Sequence, residues 1–176
     1  ISSTGDLSKR LNVKAGDIAL RLFKDNPSHP GGVHYTIHAF DDPLLAPLAL
    51  EAAHRFAEIA PAVSHAIHMP THIFIQHGMW DYVSGNNQRA YDAAFNLWNP
   101  SEPMGDAVHA LDRGQYGDLQ LGDYEKAELW IKRIESVAEG KFLEGNVSDD
   151  SGQARVMGAV PRLKSRYIIE TGEWAV

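Results

Sequence analysis

Cysteine is absent from the 176-residue chain, which rules out disulfides, thiolate metal sites and cysteine nucleophiles together. Basic residues are few, because 16 Lys and Arg oppose 23 Asp and Glu and leave a net charge of −7. This sign does not suit a surface that neutralises phosphates, so we expect no nucleic-acid partner. Long apolar runs and a signal-peptide pattern are also lacking, so we expect a soluble protein without a membrane partner, in an unassigned compartment.

The pattern of apolar residues predicts an all-α fold. Hydrophobic residues make up 44% of the chain and charged residues 22%, as in ordinary globular proteins. The apolar positions recur at spacings of three and four, and alternating strand patterns are missing. The predicted helices cover residues 17–24, 33–40, 47–59, 65–77, 81–98, 107–121, 125–139 and 155–170.

Three turns have the form Gly-x-aromatic and begin at Gly78, Gly122 and Gly172. Each follows one predicted helix and precedes the expected position of a return helix, which predicts helical hairpins stacked in series. The string GDYEKA at 122–127 resembles the inter-helix turn of the tetratricopeptide repeat family, and NPSHPG at 26–31 resembles its repeat junction. The resemblance implies an α-α superhelix, a solenoid of antiparallel helix hairpins that forms one helical repeat domain over 1–176.

Two longer strings resemble a group of bacterial tetratricopeptide-like proteins more specifically. They are HPGGVHYTIHAFDDP at 29–43 and APAVSHAIHMPTHIFIQHGMW at 60–80, and the resemblance carries no activity with it. The chain ends just after its third predicted turn, where a return helix would begin. We therefore expect it to be part of a longer solenoid.

Histidine is concentrated in one part of the sequence, since eight of the nine histidines lie within residues 29–77. His34 and His38 are four residues apart, and so are His68 and His72, which places each pair on one face of a helix. The two pairs are offset by 34 residues, one repeat length. We expect them to converge on one divalent metal, with Asp112 completing or widening its shell.

Alignment of the three glycine turns extends this prediction to neighbouring helices. The positions that face the concave groove in the resembled family then include both pairs and Asp112. The further residues that we expect to line this groove or bind a ligand are His65, His109, Tyr116, Arg162 and Arg166.

Two functions remain open at this stage. The first is a metal-binding scaffold. Its nitrogen and oxygen donors suit zinc best and can also bind nickel, copper, iron or manganese. The alternative is a recognition solenoid whose groove takes a peptide or protein partner, with histidines that serve only packing. Whether the chain is an enzyme stays open, although the residues after the first histidine of each pair, Tyr35 and Met69, do not match the HExxH motif of zinc proteases.

Overall fold

The regular structure of the chain is helical, as expected. The computed structural model describes residues 5–98, 104–141 and 150–174, and these residues form no strand. The helices are α1 (Gly5–Asp25), α2 (Pro30–Phe40), α3 (Leu50–Ile59), α4 (Ser64–His68), α5 (Thr71–Gln76), α6 (Trp80–Leu97), α7 (Gly105–Leu121), α8 (Tyr124–Ser136) and α9 (Asp150–Thr171). None of the described helices is long and apolar enough to cross a membrane.

The chain divides into two units, Ile1–Met79 and Trp80–Val176. In the first unit α1 packs along α2, and α2 packs against α3 and contacts α5. A side chain at Gly32 would lie 3.0 Å from the backbone nitrogen of Phe23, so this glycine lets α1 and α2 approach closely. Val33 and Ile37 of α2 are fully buried, whereas His34 and His38, which each follow one of them, are partly exposed.

The predicted break between the first two helices is confirmed at 26–29, but α2 begins at Pro30, three residues before the predicted start at Val33. The ring nitrogen Nδ1 of His29 accepts a hydrogen bond of 3.1 Å from the Gly31 N–H, and Pro30 occupies the first helical position. A capped N-terminus with proline at its first position fixes where the helix begins. It thereby sets which face of α2 carries His34 and His38.

The single helix predicted over 65–77 is wrong, because the chain forms the two short helices α4 and α5 there. Pro70 has no N–H and cannot continue the hydrogen-bond ladder of α4. The carbonyl of His68 instead accepts a bond of 2.7 Å from the Thr71 hydroxyl, and the His72 N–H bonds to the Met69 carbonyl. Met69 and Pro70 keep helical backbone angles, so His68 and His72 still lie one turn apart.

In the second unit α7 packs against α6, α8 and α9. The Asp118 carboxylate of α7 is buried and accepts hydrogen bonds from the Ser84 hydroxyl at 2.5 Å and from the Trp130 indole N–H at 2.6 Å. This one side chain therefore ties α6 and α8 to α7. A side chain at Gly114 would overlap the Trp130 ring, so glycine is needed where α8 approaches α7.

The three glycine turns are confirmed in their local form. Gly78, Gly122 and Gly172 have φ angles of 66°, 72° and 76°, which L-residues rarely adopt. At Gly122 the glycine N–H bonds to the Leu119 carbonyl and the next N–H to the Asp118 carbonyl, a Schellman closure of α7. The predicted helix break at 99–103 lies outside the described residues.

Candidate metal site

Three histidines of the first unit come together: His34 and His38 from α2, and His65 from α4. One ring nitrogen of each lies within 4.8 Å of the corresponding nitrogens of the other two. The centroid of the His34 ring is 4.6 Å from that of His38 and 5.1 Å from that of His65. His65, expected only to line the groove, is thus the third member of the group.

The environment of His34 and His38 favours neutral imidazoles. Burial, and then the charges of protonated His38 and His65, lower the pKa of His34 from 6.5 to about 4. Burial also lowers the pKa of His38, helped by His72 and His65 and opposed by Asp41. Neutral imidazole is the form that binds metal. At neutral pH an ion would not have to displace a proton from His34.

The three rings are supported by packing more than by polar contacts. The His34 ring stacks against Tyr35 and tilts over Phe56, at centroid distances of 5.4 and 5.7 Å. Among the described residues, no hydrogen bond to the rings of His34, His38 or His65 is found. Their nitrogens are therefore not committed to protein partners in this part of the chain.

The second predicted pair forms a separate chain of contacts. The Nε2 atoms of His68 and His72 are 3.2 Å apart, and Nδ1 of His72 is 2.9 Å from the Asp41 carboxylate. The other oxygen of Asp41 accepts a bond of 3.3 Å from Gln76. His68 is buried, whereas about a fifth of the His72 side chain is exposed. Asp41 was not among the predicted site residues, although it lies three residues after His38 at the end of α2.

Asp112 does not suit the metal shell in which we had placed it. The same oxygen of its carboxylate lies 3.1 Å from Nε of Arg162 and 2.9 Å from a terminal nitrogen of Arg166. Burial acts to raise the pKa of Asp112, but Arg166 and Arg162 outweigh it and lower that pKa. Because two guanidinium groups already neutralise this carboxylate, we leave Asp112 out of the candidate site.

The other predicted groove residues lie in the second unit. Tyr116 packs edge-on against Trp80 and under the Arg166 guanidinium. His109 borders an open pocket of about 340 Å³ together with Asp112, Arg155 and Arg162. Arg162 and Arg166, which we expected to line the groove or bind a ligand, are both engaged with Asp112.

Three further histidines have structural roles. His29 caps α2, the His54 ring packs on Phe74 at 5.0 Å, and Nδ1 of His77 is 3.2 Å from the Ile73 carbonyl. Clustering in the sequence therefore does not by itself assign a histidine to the site.

Comparison of the chain with protein-family models, curated proteins and solved structures found no match. The resemblance to tetratricopeptide repeat proteins remains a prediction from sequence. The histidine geometry is thus the main guide to function. Two helices present three imidazoles whose nitrogens need only small side-chain movements to share one ion.

Proposed function

We propose that the chain is a helical scaffold whose first unit binds a divalent transition metal through His34, His38 and His65. The observation that carries this proposal is the approach of their three ring nitrogens to within 4.8 Å of one another. Nitrogen donors without thiolate suit zinc, and the same donors accept nickel, copper, iron or manganese. Three protein ligands leave one tetrahedral position for water or a ligand.

The geometry asks for a modest rearrangement on binding. Zinc–nitrogen bonds of about 2.0–2.1 Å separate two ligands of a tetrahedron by about 3.3 Å. The nitrogens of the group must therefore draw together by up to about 1.5 Å from their 4.8 Å limit. Rotation of partly exposed side chains supplies such a movement without a change in the helices.

We further propose that the helices follow the antiparallel hairpin arrangement of a tetratricopeptide-like superhelix. Support comes from the glycine closures at Gly78, Gly122 and Gly172, and from the contacts of α7 with α6, α8 and α9. Small-angle X-ray scattering tests this part, because a solenoid has a larger maximum dimension than a globule of equal mass.

The metal proposal is tested with protein that carries no affinity tag and has been stripped with a chelator. Zinc at about 100 times its dissociation constant should add about 2.7 kcal/mol to the free energy of unfolding at pH 7.5. The variants His34→Ala and His65→Ala should each weaken calorimetric zinc binding at this group by at least about tenfold. His54→Ala is the matched control and should bind as the parent does, because His54 packs on Phe74 outside the group.

Zinc binding that is unaffected by both His34→Ala and His65→Ala would refute the assignment. If none of the five metals binds, peptide recognition becomes the better function, and the pocket beside Arg155 and Arg162 is the place to test it. Arg155 lines this pocket, and its guanidinium is the group that would contact an acidic peptide.

A further inference from the structure

His68 and His72 lie at the separation that one metal ion imposes on two imidazole ligands. Their Nε2 atoms are 3.2 Å apart, and adjacent nitrogens around tetrahedral zinc are about 3.3 Å apart. The two nitrogens are therefore already at a separation that suits chelation. The turn at Met69 and Pro70 keeps both rings on the same side although they belong to different helices.

Asp41 prepares His72 for this role. Its carboxylate lies 2.9 Å from Nδ1 of His72, so Nδ1 carries the proton and the lone pair of a neutral ring lies on Nε2. Carboxylates that hold the distal nitrogen of a ligating histidine fix its orientation and raise its basicity. Gln76 donates to the other oxygen of Asp41 and holds the carboxylate in place.

We propose that His68 and His72 form a second metal site, distinct from the His34 group, with Asp41 as the positioning residue of His72. Binding replaces the proton that lies between the two Nε2 atoms, and neutral His68 then carries its proton on Nδ1. The two imidazoles would occupy two positions of the ion's coordination shell. The chain would hold two ions where the sequence alone predicted one.

The two sites are neighbours, and the pKa of His38 depends on histidines of both. The positive charges of His72 and of His65 each disfavour the protonated form of His38. A change at His38 would therefore affect either site and assign neither. The test uses His34 and His65 for one site and His72 for the other.

The experiment measures zinc stoichiometry and affinity by calorimetry, with zinc chloride added to chelator-stripped, tag-free protein at pH 7.5. Cobalt absorption provides a second readout of the same sites. We expect two equivalents for the parent and for His54→Ala, and one each for His72→Ala and for the double variant His34→Ala with His65→Ala. Asp41→Asn should keep two equivalents and weaken one of them about 10- to 100-fold.

Circular dichroism verifies that each variant stays helical, and His72→Gln replaces His72→Ala if the latter unfolds. If the parent binds one equivalent of zinc and both sets of variants lose it, the second site is overturned and a single shared ion is indicated. If the parent binds one equivalent and only the His34 and His65 changes remove it, the second site is also overturned, but the proposed function is supported. One equivalent that only the His72 change removes would sustain the second site and refute the first. No binding by the parent refutes both.

Discussion

Acid should destabilise the metal-free protein through His34. The pKa of His34 is about 4 in the folded chain and 6.5 for an ordinary imidazole, because of burial and the neighbouring His38 and His65. As the pH falls below 6.5, the unfolded chain takes up a proton at this residue and the folded chain does not. The free energy of unfolding therefore decreases between about pH 6.5 and pH 4 and levels off below.

The size of this effect follows from the shift. The fall in the His34 pKa from 6.5 to about 4, at 1.36 kcal/mol per pH unit, sets an upper limit of about 3.4 kcal/mol on the loss of unfolding free energy. The ring is only partly buried and solvent screens its neighbours, so we expect about 1 kcal/mol. For a chain of this length that corresponds to roughly 2–4 °C in Tm.

The assay is thermal unfolding followed by circular dichroism, in excess chelator, at pH values from 7 to 4. The variant His34→Leu removes the titrating ring, so its Tm should fall less over this range than that of the parent. His54→Leu is the control and should keep the parent slope. The reasoning is refuted if His34→Leu and the parent lose stability equally, because the pH dependence would then arise from other groups.

Two further predictions concern the helices of the second unit. Asp118→Ala should lower the free energy of unfolding by about 3–5 kcal/mol in chemical denaturation, because it leaves the buried donors of Ser84 and Trp130 without an acceptor. Ser84→Ala should lower it by only about 1–2 kcal/mol. Equal losses for the two variants would contradict this account. Gly122→Ala should lower the free energy of unfolding by about 1 kcal/mol through its φ of 72° alone, since nothing beyond its chain neighbours lies within 4 Å of the added methyl group. An unchanged Tm would show that the turn relaxes.

The helices and their glycine closures could be predicted because their signals are local. The proline and cap at 29–31 start α2, and positive-φ glycines follow α5, α7 and α9. The break at Pro70 was missed because the apolar spacing runs through it unchanged. Apolar spacing also failed to predict the burial of Leu48. This residue fits the apolar stripe predicted over 47–59 but is 52% exposed in a 3₁₀ turn.

The site was predicted in part for the same reason. A four-residue spacing places His34 beside His38 wherever the segment is helical. The register argument also put Asp112 in the metal shell, but it could not show that Arg162 and Arg166 neutralise that carboxylate. Such partners depend on how α7 and α9 pack, and no local pattern records this.

The division of the histidines into two groups depends on α4. His65 and His68 are three residues apart on this short helix, yet His65 joins the pair on α2 and His68 joins His72 on α5. The helix α4 ends at His68, and Met69 and Pro70 lead directly into α5. Were the ladder unbroken, the His68 carbonyl would accept the His72 N–H and would not need the Thr71 hydroxyl. The proline therefore changes the hydrogen bonds of this segment but not the placement of its histidines, because Met69 and Pro70 keep helical backbone angles.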